Sequence, residues 1–133
     1  MLPIDISSER LDAYLNENYA DLEGNVKIRQ GDMRLGAEKI HVEYLEKTGD
    51  IKEAIAQENV TIVHGASTAT GDKAKYTPET ESVLLTGNVV LTRGGSIVKG
   101  EKLLYDVKTG HMSLVNEKEG GRVKATFSLK GKK

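Results

Sequence analysis

The chain has 133 residues and a mass of 14.5 kDa, enough for one domain with a sizeable core and too short for two. Nineteen Lys and Arg against twenty Asp and Glu leave a formal net charge of −1, a balance that argues against a nucleic-acid binder. The absence of Cys excludes a disulfide framework, a thiolate nucleophile and a Cys-based metal site, and with 5% aromatic residues and no Trp the apolar material is mostly aliphatic.

In chain order, the first residues Met1-Leu2-Pro3-Ile4-Asp5 carry neither the basic nor the apolar region of a secretory signal. No stretch approaches the roughly 18 apolar residues of a membrane-spanning helix. The expectation at this point is a cytoplasmic protein or a processed mature chain. Asn25-Val26-Lys27-Ile28-Arg29-Gln30 alternates apolar and polar residues, the period of a half-buried strand. Lys39-Ile40-His41-Val42-Glu43-Tyr44 does the same. Gly49–Glu58 is the best helix candidate, short and without strong caps. Val60 with Ile62, and Val89 with Leu91, return to alternation, and Gly121–Leu129 alternates as a final strand. Turn signals separate the segments at Gln30-Gly31-Asp32, Thr48-Gly49-Asp50, His64-Gly65, Thr70-Gly71-Asp72, Gly94-Gly95 and Thr109-Gly110. Short strands with glycine turns predict an all-β sandwich, barrel or jellyroll.

Internal repetition sharpens that reading. Asn59-Val60 matches Asn88-Val89, Gly65 matches Gly94, Ser67 matches Ser96, Gly71 matches Gly100, Lys73 matches Lys102, Tyr76 matches Tyr105 and Thr80 matches Thr109. Each pair lies 29 residues apart without a gap. A looser copy precedes them at Gly24-Asn25-Val26, Gly31, Gly36, Tyr44 and Gly49, and Glu9–Tyr14 resembles half a unit. One hairpin-like unit cannot bury its apolar face alone, so the copies must stack. Stacking leaves an end strand at each side with unpaired backbone groups.

Catalytic patterns are lacking. The histidines His41, His64 and His111 have no second ligand at metal spacing and are expected in ordinary surface roles. Carboxylate pairs such as Glu79 with Glu81 fall in polar turns, and Gly94-Gly95-Ser96 and Gly120-Gly121 are not followed by a helix that could cradle phosphate. No serine sits in a Gly-x-Ser-x-Gly elbow. The chain reads as a non-enzyme that needs no metal and no cofactor.

The inward-facing set is Val26, Ile28, Met33, Leu35, Ile40, Val42, Tyr44, Val60, Ile62, Tyr76, Val83, Leu85, Val89, Leu91, Leu103, Tyr105 and Leu114. Periodicity is compatible both with an ordinary dry core and with a slot lined by branched aliphatics. A slot of this kind suits acyl chains, since each buried CH₂ is worth about 0.8 kcal/mol without directional contacts. Charge is also unevenly placed. Residues 1–24 hold six acids and one base, while residues 120–133 hold five bases and no acid. The ends are either solubilising segments or steer contact between unlike ends.

The phrase Leu22-Glu23-Gly24-Asn25-Val26-Lys27-Ile28, echoed by Leu85-Thr86-Gly87-Asn88-Val89-Val90-Leu91, together with Gly100-Glu101-Lys102-Leu103-Leu104-Tyr105-Asp106 and Thr109-Gly110, resembles the OstA-like family over about residues 6–115. The chain is then expected to be a single domain over 1–133, with the core at about 6–115 that the resemblance covers, the alternating C-terminal strand at about 121–129 and a basic tail at 130–133, the end from Gly120 departing from the family pattern. It implies a slightly twisted, open-ended β-jellyroll built from stacked strand pairs. It further implies a periplasmic bridge protein that carries lipopolysaccharide from an inner-membrane complex to an outer-membrane translocon. In that reading the lipid A acyl chains contact Val26, Ile28, Met33, Leu35, Ile40, Val42, Tyr44, Val60, Ile62, Tyr76, Leu85, Val89, Leu91, Leu103 and Tyr105. The implied partners are LptC-type and LptD-type jellyroll domains and further copies of the chain joined end to end, peripheral to both membranes. Without a leader at its start, such a chain would be a processed or engineered form. A ligand-free structural polymer of the bactofilin type is the competing class, disfavoured by the length of the 29-residue period.

Overall fold

A computed structural model of the chain describes residues 3–116 and 122–126. Its strands are β1 (Asp5–Ser7), β2 (Arg10–Tyr14), β3 (Tyr19–Gln30), β4 (Met33–Tyr44), β5 (Ile51–His64), β6 (Ser67–Thr77), β7 (Ser82–Arg93), β8 (Ser96–Asp106), β9 (Met112–Val115) and β10 (Lys124–Thr126). Among the described residues there is no helix. All ten strands belong to one antiparallel sheet in the order β1-β3-β4-β5-β6-β7-β8-β10, with β2 also on β3 and β9 also on β8. β1 and β2 therefore form two halves of one edge, and β9 and β10 two halves of the other.

The alternating segments form strands because one face of each buries aliphatic side chains while the other stays wet. Along β3, Val26, Ile28 and Gln30 are buried while Lys27 and Arg29 are exposed. The strands do not run straight, however. Pairing registers shift between Glu23 and Val26, Gly36 and Lys39, Gln57 and Val60, Thr70 and Lys73, and Thr86 and Val89. These are β-bulges at the middle of the long strands, where the chain bends.

The repeated Gly-Asn-Val motif is the cause. Gly24 and Asn25 have φ of 85° and 47°, Gly87 and Asn88 83° and 50°, and Glu58 and Asn59 70° and 57°. Two successive left-handed residues suit Gly and Asn and penalise most others. Thr70-Gly71-Asp72, expected as a turn, lies within β6 at one of these bulges. A Cβ on Gly71 would stand 2.6 Å from Leu85 Cδ1, so the missing side chain lets Leu85 close over the bend.

The line of bulges folds the sheet over on itself into two facing half-sheets. One contains residues 19–23, 39–44, 51–57, 73–77, 82–86 and 102–106, with β2 and β9. The other contains residues 26–30, 33–36, 60–64, 67–70, 89–93 and 96–100, with β1 and β10. One buried cluster draws on both, including Leu22, Ile40, Ala56 and Leu103 from the first and Ile28, Leu35 and Ile62 from the second. The architecture is the all-β, open jellyroll that the resemblance implied. The helix candidate Gly49–Glu58 is a turn followed by most of the first half of β5. Within the expected final strand 121–129, residues 124–126 form β10; the remainder of its C-terminal end and the tail 130–133 lie outside the described residues.

Candidate functional site

The space between the half-sheets is the candidate site. Every residue of the inward set named from the sequence points into it or packs against it. Val26, Ile28, Met33, Leu35, Ile40, Val42, Val60, Ile62, Tyr76, Val83, Leu85, Val89, Leu103 and Tyr105 are buried, and Tyr44, Leu91 and Leu114 are partly buried against them. Six alanines that periodicity passed over, Ala20, Ala37, Ala54, Ala56, Ala69 and Ala74, are buried with them. Ala54 pairs with Val42 on one side and Tyr76 on the other, and Ala56 pairs with Ile40 and Ala74. Small side chains in these rows let the facing half-sheet approach closely.

Burial varies along the stack. In the middle strands the interior is shut off from solvent, with Ala56, Ile62, Ala69, Ala74 and Leu85 at 0% exposure. Towards the edges it opens. Leu11 is 56% exposed on one side, and Leu91, Val98 and Leu114 are partly exposed on the other. The sequence left a filled core and a slot as alternatives; the structure is closed along its middle and open at its ends. On the outer face beside β1, Asp5, Lys27, Arg29, Arg34 and Val63 line a hollow of about 560 Å³, in which Arg29 stands 3.7 Å from Asp5.

Opposite the bulges, where the free ends of the half-sheets meet, two polar contacts stand among buried apolar side chains that include Met33 and Val83. Tyr76, near the end of β6, donates its hydroxyl hydrogen to Oε1 of Gln30 at the end of β3. Tyr105, near the end of β8, hydrogen-bonds Nδ1 of His64 at the end of β5 at 2.6 Å, with the two rings edge to face. Each bond joins one half-sheet to the other. Burial pushes the Tyr76 phenol up to about 12. Burial raises Tyr105 further still, helped by the nearby carboxylates of Asp32 and Asp106. Both phenols stay protonated at neutral pH and keep a hydrogen to donate. Gln30 is the buried polar residue of the core, and among the described residues no buried side-chain polar atom lacks a partner.

His64 thus departs from the surface role expected of the histidines, since its ring reaches across to Tyr105 and Gly110. The signal that could have exposed it is positional: like Gln30, it precedes a turn glycine on an inward-facing register. His41 does lie on the outer face, between Asp21 Oδ1 at 2.6 Å and Glu43 Oε2 at 3.2 Å. The Asp21 hydrogen bond is the main reason that its pKa is raised; Glu43 adds to this and burial partly opposes it. Among the described residues no group of three or more His, Cys, Asp and Glu side chains could hold a metal ion. No helix of the described residues is long and apolar enough to cross a membrane.

Residues 5–111 match the family model described as LptA/(LptD N-terminal domain) LPS transport protein. Among solved structures, the chain is similar to LptH of Pseudomonas aeruginosa, described as the LptA-homologous periplasmic component of the conserved lipopolysaccharide transport device. The similarity has a TM-score of 0.78 at 16% identity and covers 96% of each chain. A search of curated proteins found no match. The match to LptH establishes a common fold from edge to edge of the sheet.

Proposed function

Since the chain belongs to the LptA/LptD N-terminal domain family of lipopolysaccharide (LPS) transport proteins, we propose that the interior between its half-sheets is the path of the lipid A acyl chains. The chain is an LPS-transport protein of the bridge type, and it works in the periplasm between the two membranes. The observation that carries the acyl-chain path is the interior itself: aliphatic, nearly free of polar groups, and exposed at both edges of the sheet. Hydrocarbon entering it loses water contact at about 25 cal/mol per Å² without needing fixed hydrogen-bond partners. The sugar and phosphate parts stay outside, where Lys27, Arg29 and Arg34 outnumber Asp5 in the hollow on the outer face.

Transport of this kind makes and breaks no covalent bond in the cargo. The chain's part is to hold hydrocarbon out of water while an energy source elsewhere drives movement. Partner jellyroll domains of the LptC and LptD types, and further copies of this chain, would extend the path by pairing with the edge formed by β1 and β2 or that formed by β9 and β10.

Photo-crosslinking tests the path. Groups placed at Ile28, Leu35, Val42 and Leu91 are expected to capture LPS, and groups at the outward positions Lys27 and Glu43 to capture far less. Labelling confined to the outward positions would overturn the reading. The bactofilin-type polymer has no support in the fold or the family match.

A further inference from the structure

We infer that the two hydrogen bonds Tyr76–Gln30 and Tyr105–His64 form a latch that holds the half-sheets closed, and that the bulge line opposite them is the hinge on which they part to admit a lipid. The inference rests on the acyl-chain path proposed above and adds to it the residues that control entry.

Three observations converge on it. First, the middle of the interior is closed: Ala54, Ala56, Ile62 and Leu85 are at most 1% exposed, so a hydrocarbon chain cannot pass between the half-sheets as they stand. Second, the bends concentrate at one line, where Gly24-Asn25, Glu58-Asn59 and Gly87-Asn88 hold paired left-handed conformations and the strand registers slip. Ladder pairing is interrupted there, so rotation about this line breaks few hydrogen bonds. Third, at the far end from this hinge two hydrogen bonds recur among buried apolar side chains, with Met33 in register between Gln30 and His64 and Val83 between Tyr76 and Tyr105. Tyr76 and Tyr105 occupy the same place in successive repeats, 29 residues apart. Each reaches a hydrogen-bonding residue that immediately precedes a turn glycine, Gln30 before Gly31 and His64 before Gly65.

Chemistry explains the hydrogen bonds among these apolar side chains. Apolar contact alone would close without direction and would offer the same attraction to any acyl chain. A phenol bonded to an amide or an imidazole closes in one geometry and, when it opens, each partner can bond water at the mouth instead. Those groups then face the side from which the polar part of an amphipathic cargo would project. The third repeat position differs: Arg93 precedes Gly94 as His64 precedes Gly65, but its Nη1 donates to Ser67 Oγ, its register partner in the same half-sheet, at 2.9 Å.

The test uses Tyr76→Phe, Tyr105→Phe and the double variant, which delete one or two hydroxyls while keeping ring volume. The first measurement, made without lipid, is the thiol-labelling rate of single-cysteine variants of a chain that has no cysteine of its own: Ile62→Cys, buried in the interior that opens, and Val89→Cys, buried beside the hinge. Each bond lost shifts the closed-to-open equilibrium by roughly fivefold, so the double variant is expected to label about 25-fold faster at Ile62→Cys. Labelling at Val89→Cys should stay within about twofold. Asn88→Ala, which weakens the fold at the hinge, serves as the contrast, with faster labelling at both positions. Unchanged labelling in the double variant, or an equal rise at both positions resembling that of Asn88→Ala, would overturn the latch.

The second measurement is the rate at which purified LPS is captured by a photo-crosslinker at Leu35. The double variant is expected to load several-fold faster than the otherwise unaltered protein, and equal rates would overturn the latch as a gate on entry. If the otherwise unaltered protein captures no LPS at all while the labelling pattern is as expected, the acyl-chain path fails and the hinged closure stands.

Discussion

At the scale of single residues, His41 shows how an outward side chain can make stability depend on pH. Its ring sits between Asp21 and Glu43, and the Asp21 hydrogen bond is the leading cause of its raised pKa. A folded-state pKa above the unfolded value of about 6.5 means that the contribution is fully present below pH 6.5 and is lost as pH rises through the folded value. Relative to His41→Gln, the unaltered chain is therefore expected to lose melting temperature as pH rises from about 6 to 8. Thermal melts of both forms at each pH check this, and parallel curves would refute it. Inside, the buried alanines are the residues most sensitive to added volume. Ala74→Leu, between Ala56 and Leu85 in adjacent strands, is expected to cost about 1–3 kcal/mol in urea unfolding, because no cavity receives the extra carbons. The aliphatic lining was legible from alternation, since Val26 with Ile28 and Ile40 with Val42 are separated by charged or polar residues. Gln30 and His64 were not. Both are polar residues beside turn glycines, and local pattern assigns such residues to solvent; only their distance across the fold, to Tyr76 and Tyr105, makes them interior.

At the scale of elements, the repeat was visible in the sequence but its conformation was not. Asn59-Val60 and Asn88-Val89 recur because a strand must bend there, yet a glycine in an apolar stretch reads equally well as a turn. That ambiguity placed a turn at Gly71 in the sequence reading, although β6 continues past the bulge. The helix candidate failed for a different reason. Ala54 and Ala56, with Lys52 and Glu53, have good helix propensity, but the interior requires small side chains at alternate positions of β5, and packing decides. The left-handed pair itself can be tested. Asn88 has φ of 50° and its Nδ2 donates to Asp72 Oδ2 at 3.0 Å. Asn88→Gly keeps the conformation without strain and is expected to change stability by less than about 1 kcal/mol. Asn88→Val adds a β-branched side chain to the left-handed region and should cost about 1–2 kcal/mol or more. Urea midpoints of the two variants should therefore separate clearly, and equal values would show that the bend does not depend on this residue's conformation.

At the scale of the whole molecule, the sheet is a row of strands that each pair with their chain neighbours, with two edges that need not be alike. The contrast of charge read from the sequence survives in the described residues. Asp5, Glu9, Asp12, Asp21 and Glu23 outnumber Arg10, Lys27 and Arg29 on or beside the β1–β2 edge, whereas Lys99, Lys102, Arg122 and Lys124 outnumber Glu101 and Asp106 on or beside the β9–β10 edge. Two forces can then join one copy to the next: backbone pairing between edge strands, which salt scarcely affects, and attraction between unlike edges, which salt screens. They can be separated because the screening length falls from about 10 Å at 0.1 M salt to about 3 Å at 1 M. Sedimentation velocity at rising protein concentration is expected to show end-to-end association that weakens several-fold over that range. Lys124→Glu should weaken association at low salt and flatten its salt dependence, because Lys124 pairs with Lys99 on the edge where incoming acids would arrive. Association that is indifferent both to salt and to this reversal would assign the joint to strand pairing and to the apolar surface at the ends, and would leave the uneven charge without a part in assembly.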